Sequence, residues 1–395
     1  MPQAYIVSAL RTAGGRRGGR LAGWHPVDLA ARVVDELLER GDVDPQRVDD
    51  VVVGCVSQIG EQSSNVARNI VLASRLPQTV PGVSVDRQCG SSQQAIHFAA
   101  QAVMSGSMDV VVAAGVESMS RVPMGLSQTL PEREGYGSYV SPAVQRRYGV
   151  REFSQFHGAE RIARDFGFSR EQLDAYSLRS HQRAAAAAAA GDFDSEIVAL
   201  PVLDADGRPG EPHLRDEGVR ADTSPQALAA LRPLRDGGLI TAGNASQICD
   251  GASAVLVANE QGLRALGARP MARIHHMSVL GGDPVTMLLV PLDATRRALQ
   301  RTGLALHDID LYEVNEAFAP VPLAWARELE ADPERLNVHG GAIALGHPLA
   351  ATGVRLTITL ARQLRAIGAR WGVAAACIGG GQGIALLLEN PEARS

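Results

Sequence analysis

Two cysteines, a histidine and an asparagine stand at positions suited to chemistry. Cys89 lies in Ser84-Val85-Asp86-Arg87-Gln88-Cys89-Gly90-Ser91-Ser92, where a β-branched run gives way to a helical pattern. A thiol at a strand-to-helix junction meets unpaired backbone N–H groups and the positive end of the helix dipole. Both favour thiolate over thiol and would lower the pKa. Burial as a small hydrophobe is the common alternative for a free cysteine, and this segment alone does not separate the two. His347 lies in Asn337-Val338-His339-Gly340-Gly341-Ala342-Ile343-Ala344-Leu345-Gly346-His347-Pro348. A histidine in a Gly-rich turn can act as base or donor near neutral pH, although a satisfied structural histidine is the commoner case. Pro348 suits the first turn of a helix.

Cys377 follows the apolar run Val373 to Ala376 and precedes Gly379, Gly380, Gly381 and Gly383. The N–H groups of such a loop can face an oxyanion, although nucleotide-binding loops look similar. Asn315, in Val314-Asn315-Glu316-Ala317-Phe318-Ala319, can orient a water or donate to an oxyanion. A helix cap is the simpler role for Asn, and a salt bridge for Glu316. Gly243-Asn244-Ala245-Ser246-Gln247-Ile248-Cys249-Asp250 is a small-residue turn before a strand.

Short β-branched runs alternate with helical patterns at both ends of the chain. Val51 to Val53, Val83 to Val85 and Val110 to Ala113 read as strands, and Leu29 to Leu38 and Ala95 to Val103 as helices. This alternation indicates an α/β sheet. The ends also resemble each other. Asp28-Leu29-Ala30-Ala31 leads through a helix and a Gly to Val48-Asp49-Asp50-Val51. Asp293-Ala294-Thr295-Arg296 leads through Gly303 to Ile309-Asp310-Leu311-Tyr312. The segment from Cys89 to Ala113 is echoed by Gly346 to Ala376, which puts His347 in the turn equivalent to that of Cys89. Two matches in the same order indicate an internal duplication. Residues 119–249 are rich in Arg, Pro and Gly and read as an insertion. Within it, Ser169-Arg170-Glu171-Gln172 starts a capped helix running through Ala190.

Composition narrows the function. The chain has 395 residues, a net charge of −5 and 38 Lys+Arg, all of them arginine. Without lysine there is no Schiff base, no pyridoxal phosphate attachment and no Walker A phosphate loop. Arginine- and alanine-favouring codons account for the bias most simply. The slightly acidic charge argues against nucleic acid as a partner. No stretch approaches the roughly 20 apolar residues of a membrane span. Four cysteines in this length do not form a secreted disulfide framework, so a cytoplasmic location is expected. Residues 1–27 hold four arginines and no acid, faintly like a transit peptide, but Ala4-Tyr5-Ile6-Val7 reads better as a first strand.

In order, these segments resemble the thiolase family of acyl-CoA acyltransferases over nearly the whole chain. Gln-Cys-Gly-Ser at 88–91, Asn-Glu-Ala-Phe at 315–318, Gly-Gly-Ala-Ile-Ala-Leu-Gly-His-Pro at 340–348 and Cys-Ile-Gly-Gly-Gly-Gln-Gly at 377–383 carry the resemblance. It implies an α/β thiolase-like fold of two similar α-β-α-β-α halves with an inserted loop domain. The expected division is 1–118 for the N-terminal half, completed by about 250–270, then 119–249 for the insertion and 271–395 for the C-terminal half.

The resemblance further implies thiolysis of a 3-ketoacyl-CoA to acetyl-CoA and a shortened acyl-CoA, or the reverse Claisen condensation. Cys89 would be the nucleophile, Cys377 the acid and base at carbon, and His347 the activator of Cys89. Asn315 would hold a water at one oxyanion site, and the N–H groups of Cys89 and Gly380 would form the other. Ser246 would contact the pantetheine arm, Phe318 the acyl group and Arg220 the CoA adenine. Arg208, Arg215, Arg232 and Arg235 are further candidates for the CoA phosphates, since arginine forks suit phosphate. Coenzyme A and acyl-CoA enter as substrates. No permanently bound cofactor or metal is expected, and the family implies a homodimer or homotetramer.

Three departures stand out. Ala350 replaces a Gly of the family pattern, so its methyl is expected to tighten the His347 turn. Ser154-Gln155-Phe156-His157-Gly158 stands where short-chain acetoacetyl-CoA thiolases carry His-Met-Gly, which argues against strict acetoacetyl specificity. Cys249 replaces Ser or Asn and, with Cys55, reads as structural. Two alternatives share the features above. A decarboxylating ketoacyl-synthase-like enzyme would pair its cysteine with two histidines or with a histidine and an asparagine, which Cys377 argues against. An inactive acyl-CoA-binding protein would have lost one of the four chemical residues, and all are present.

Overall fold

The computed structural model describes residues 2–393. Among the described residues the main sheet has eleven strands, two of them short side pairings, and its main path runs through β1 (Ala4–Thr12), β2 (Asp50–Gly54), β3 (Gly82–Val85), β4 (Val110–Ser118), β5 (Cys249–Ala258), β6 (Ala272–Gly281), β7 (Leu311–Val314), β8 (Trp371–Ile378) and β9 (Gln382–Glu389). Their order is β7-β8-β9-β6-β1-β5-β4-β2-β3. The centre is a short antiparallel seam that pairs Ala4, Tyr5 and Ile6 of β1 with Ile274, Arg273 and Ala272 of β6.

Outward from that seam the two halves repeat one topology. In the first, β1 pairs antiparallel with β5, β5 antiparallel with β4, and β4, β2 and β3 are parallel. In the second, β6 pairs antiparallel with β9, β9 antiparallel with β8, and β8 is parallel to β7. The outermost strand of this half is reduced to one parallel bridge between Tyr312 and Leu336. The duplication read from the sequence is therefore present strand for strand, with one edge worn down.

The helices that matter are α1 (Pro26–Arg40), α2 (Val66–Ala73), α3 (Ser91–Ser105), α4 (Gln155–Asp165), α5 (Arg170–Ala190), α6 (Val290–Thr302), α7 (Pro320–Leu329) and α8 (Thr352–Ile367). Along β4, Val110, Val112, Ala114 and Val116 face α1 and α2, whereas Val111 and Ala113 face the interior around α3 and α8. Both faces of the strand are covered, so its sequence is a continuous apolar run rather than an alternation. Helices α6 and α7 cover the outer face of the second half, with Leu292 and Trp325 against Val314, Val373 and Leu387. The layers are thus α-β-α-β-α.

Helices α3 and α8 occupy the middle layer and pack on strands of both halves. Their N-termini interlock. Ser92 N–H donates to Ala350 O at 3.1 Å, and Val354 N–H donates to Ser92 Oγ at 3.0 Å. Gly353 makes this approach possible, because a Cβ there would lie 2.5 Å from the Gln93 backbone nitrogen.

Residues between β4 and β5 form the excursion expected as an insertion. Ser169 caps α5 with a reciprocal capping box to Gln172. Leu200–Leu203 and Pro209–His213 add a small two-stranded sheet, and Ile197–Val198 runs parallel to β1. No helix among the described residues is long and apolar enough to cross a membrane.

Candidate active site

Cys89 sits in a single 3-10 turn, Gln88–Gly90, immediately before α3. Gln88 is held at φ +45°, left-handed for a non-glycine residue, and its N–H donates to Asp86 Oδ1 at 2.7 Å. Backbone strain of this kind is maintained by its surroundings and is typical of residues that present a reactive group. Cys89 is 7% exposed, among Met119, Leu349 and Val56.

The expected depression of its pKa is not found. Burial pushes the Cys89 thiol up to about 11, while the backbone N–H groups of Gly379 and of Cys89 itself pull the other way. Desolvation of the thiolate outweighs the helix terminus. Cys89 therefore rests as a thiol, with amides already aimed at its sulfur.

His347 belongs to the equivalent turn of the second half, just ahead of α8, and is buried. Thr352 Oγ1 donates to Pro348 O at 3.0 Å, so toward His347 Nδ1, 2.6 Å away, it acts as acceptor. This places the ring proton on Nδ1 and leaves Nε2 with a lone pair. Nε2 faces Asn315 Nδ2 at 3.4 Å. Burial, with Arg355 adding to it, lowers the His347 pKa to about 3. The imidazole is thus a neutral base of fixed tautomer. Ala350 is fully buried at the helix junction, where its carbonyl accepts the Ser92 N–H.

Asn315 follows β7, and its N–H donates to Ala375 O at 2.9 Å, across to the strand that carries Cys377. Its Oδ1 is buried without a partner, which suits a bound water. Its neighbour Glu316 forms no salt bridge among the described residues. It accepts from Tyr176 Oη, Ser180 Oγ, Asn337 Nδ2 and Ile343 N–H, tying α5 and the 337–343 segment to the Asn315 turn.

Cys377, 1% exposed, lies in an apolar cluster with Phe318, Ile343, Met287 and Leu288. Burial raises its pKa first, and the nearby Cys89 raises it further. Beyond Cys377 the loop turns through Gly380 at φ +78° and Gly381 at φ +74°. Gly380 is exposed, with open space where a Cβ would stand.

The structure also joins the segments assigned to substrate. Ser246 N–H donates to Ala317 O at 2.9 Å, and Ala245 bridges Phe318. Phe318 meets Phe156 edge-on, with centroids 5.4 Å apart. Arg220 is exposed. Its backbone N–H donates to His181 Nδ1 at 3.2 Å, and its guanidinium has no ion pair among the described residues. Of the other arginines, Arg208 pairs with Asp206 and Arg235 bonds Ser154, while Arg215 and Arg232 are exposed. Thr352 and Gly379 were not singled out from the sequence. Thr352 at the start of the helix after His347 was the available signal for a tautomer-setting hydroxyl.

The chain thus combines a duplicated five-layer α/β fold with a buried cysteine pair, a neutral histidine and an asparagine, an arrangement for acyl transfer through a thioester. It belongs to the thiolase family. Residues 4–261 match the thiolase N-terminal domain and residues 268–390 the thiolase C-terminal domain. A steroid 3-ketoacyl-CoA thiolase of Mycobacterium tuberculosis is 51% identical, covering 99% of this chain and 95% of its own. A 3-ketoacyl-CoA thiolase of Bacillus subtilis is 42% identical over 98% of this chain and 100% of its own. The crystal structure of the Bacillus anthracis acetyl-CoA acetyltransferase superposes with a TM-score of 0.89 at 38% identity, covering 98% and 99% of the two chains. The protein is a CoA-dependent thiolase.

Proposed function

We propose that the enzyme works degradatively on 3-ketoacyl-CoAs larger than acetoacetyl-CoA, with Cys89 as nucleophile. The observation that carries the assignment of roles is the meeting of the two cysteine turns with the His347–Asn315 pair. His347 Nε2 takes the Cys89 proton as sulfur attacks the keto carbon. The N–H groups of Cys89 and Gly380 receive the oxyanion of the tetrahedral intermediate. Breaking the bond between the α-carbon and the keto carbon leaves the acyl group on Cys89 and releases acetyl-CoA as its enolate. His347 and an Asn315-held water stabilise that enolate, and Cys377 protonates its carbon. Cys377 thiolate then takes the proton of incoming CoA, whose sulfur attacks the acyl-Cys89 thioester. Cys89 leaves and recovers its proton from His347.

The apolar Phe156–Phe318 pair beside Cys377 supports an acyl group larger than acetyl, as does the absence of His-Met-Gly at 154–156. The relative named for steroid 3-ketoacyl-CoA points the same way. A profile of kcat/KM over acetoacetyl-CoA, longer linear 3-ketoacyl-CoAs and ring-bearing ones, read as loss of ketoacyl absorbance, tests this. We expect acetoacetyl-CoA to be a poor substrate; its being the best would overturn the assignment.

Ser246 and Phe318 line the pantetheine and acyl path in this reading, and Arg220 contacts the CoA nucleotide. Arg220→Ala should raise KM for CoA about 5- to 20-fold, in the range of one lost charged contact, while kcat changes less than about two-fold. A loss mainly in kcat would remove Arg220 from the CoA site. We further propose the division 1–118, 119–249 and 271–395, with 250–270 completing the first half. A homodimer or homotetramer, in the cytoplasm, is part of this reading, and the exposed edge strand β3, with Val83 46% exposed, supports the association.

A further inference from the structure

Arg355 lies one turn into α8 and is 4% exposed, yet its Nε, Nη1 and Nη2 have no hydrogen-bond partner among the described residues. It borders a partly open cleft of about 20 Å³ whose wall also includes Arg11, Asp216, Ser253, Pro348 and Ala351. Pro348 and Ala351 belong to the turn that carries His347, so this space adjoins the backbone of that turn. A space of this size holds about one water, and an uncompensated buried guanidinium is costly without a partner.

The surrounding charges are distributed. Arg11 is paired with Glu196 at 2.6 Å and with Asp216 at 2.7 Å. Glu313, two residues before Asn315, is buried with Arg355 and the Gln363 side chain as its polar neighbours. Thr359 and Gln363, at the next turns of the same face of α8, also carry unpartnered buried polar atoms. Together they make a polar seam inside an otherwise apolar layer.

We propose that Arg355 is a positioning residue for His347, acting from an internal water site that it shares with Asp216. Its cation, carried on the helix that follows the His347 turn, opposes a second proton on the ring and so preserves the Nε2 lone pair. The charged and titratable groups facing this pair are Glu313 from β7, Glu316 from the Asn315 turn, Arg11 from β1 and Asp216 from the insertion. Cys89 and Cys377 lie on the substrate side, and Cys249 lies beneath the His347 backbone.

The inference rests on the role proposed for His347, and the experiment separates the two. The rate of Cys89 acylation by acetyl-CoA is followed against pH by rapid quench and intact mass, for the wild type, Arg355→Lys and Arg355→Met. Folding is checked by Tm. Acylation in the wild type supports the nucleophile and base. In Arg355→Met the acid limb should move up by about one pH unit, as expected for loss of a nearby charge, and Arg355→Lys should restore it. A merely structural arginine would lower Tm in both variants without moving the limb. An unmoved limb in folded Arg355→Met, or equal movement in both variants, would overturn the proposal. Should Arg355→Met not fold, a high-resolution wild-type crystal structure decides. A water bonded to both the guanidinium and Asp216 supports it, and a direct Arg355–Glu313 ion pair with the cavity closed refutes it.

Discussion

Cys89→Ala should yield no acyl-enzyme, and turnover should fall by a factor on the order of 10⁴ or more, as for removal of a nucleophile that acts as a unit with its base. The resting state explains why no neighbour can stand in. The site holds a Cys89 thiol raised to about 11 and a His347 imidazole lowered to about 3. Proton transfer between them is uphill until the ketoacyl oxygen enters and its developing charge is met by backbone N–H groups. Only a group already lodged between those amides and Nε2 gains from that charge. Cys89→Ser should be nearly as poor, since a hydroxyl is harder still to ionise in the same buried turn. The readout is the intact mass after incubation with acetyl-CoA and acid quench. A stable acetyl adduct on the Cys89→Ala protein would show that acyl storage lies elsewhere. The wild-type thiol should also be alkylated only slowly by iodoacetamide at neutral pH, because it is not a preformed thiolate.

The same contrast marks what the sequence carries and what it does not. The apolar run at Val110 to Ala114 announces a strand covered on both faces, and Ser169 with Gln172 announces a capped helix. The echo between the two ends announces that the halves share one topology, because duplicated segments fold alike, but the strand order itself comes from the structure. The reduction of one edge strand to the Tyr312–Leu336 bridge is not readable, since it depends on what packs beside it. Cys89, His347 and Cys377 stand out because Gly-rich turns around chemical residues are unusual, and Asn315 stands out only through the Asn-Glu-Ala-Phe motif. Their protonation states do not. Burial decides the direction for Cys89, and burial is set by Met119, Leu349 and Val56, which are remote in the chain or unremarkable in type. The tautomer of His347 depends on a threonine hydroxyl whose own donor is already committed to Pro348. The Phe156–Phe318 contact joins insertion and C-terminal half, and no local pattern foretells it.

Cys377→Ala should separate the two halves of the reaction. Acylation of Cys89 by acetyl-CoA forms and breaks bonds at the thioester carbonyl and moves no carbon-bound proton. Cleavage and condensation both require a proton to be exchanged at the α-carbon of acetyl-CoA. A carbon acid needs a base held against it, and the loss of such a positioned group typically costs about 10²- to 10⁴-fold. Cys377 fits the task because it is buried beside Cys89, in an apolar wall that excludes water from the enolate. Burial and the neighbouring Cys89 both raise its pKa, which keeps it protonated at rest, the form that can give a proton to carbon. In the variant, acyl-enzyme should still accumulate, within about ten-fold of the wild-type rate, because His347 still activates Cys89. Enzyme-dependent exchange of the α-protons of acetyl-CoA with deuterated solvent should disappear, together with condensation. Equal loss of acylation and exchange would mean that Cys377 supports the Cys89 turn rather than handling a proton. Retained exchange would assign carbon acid–base chemistry to another group, and His347 would then be the residue to test.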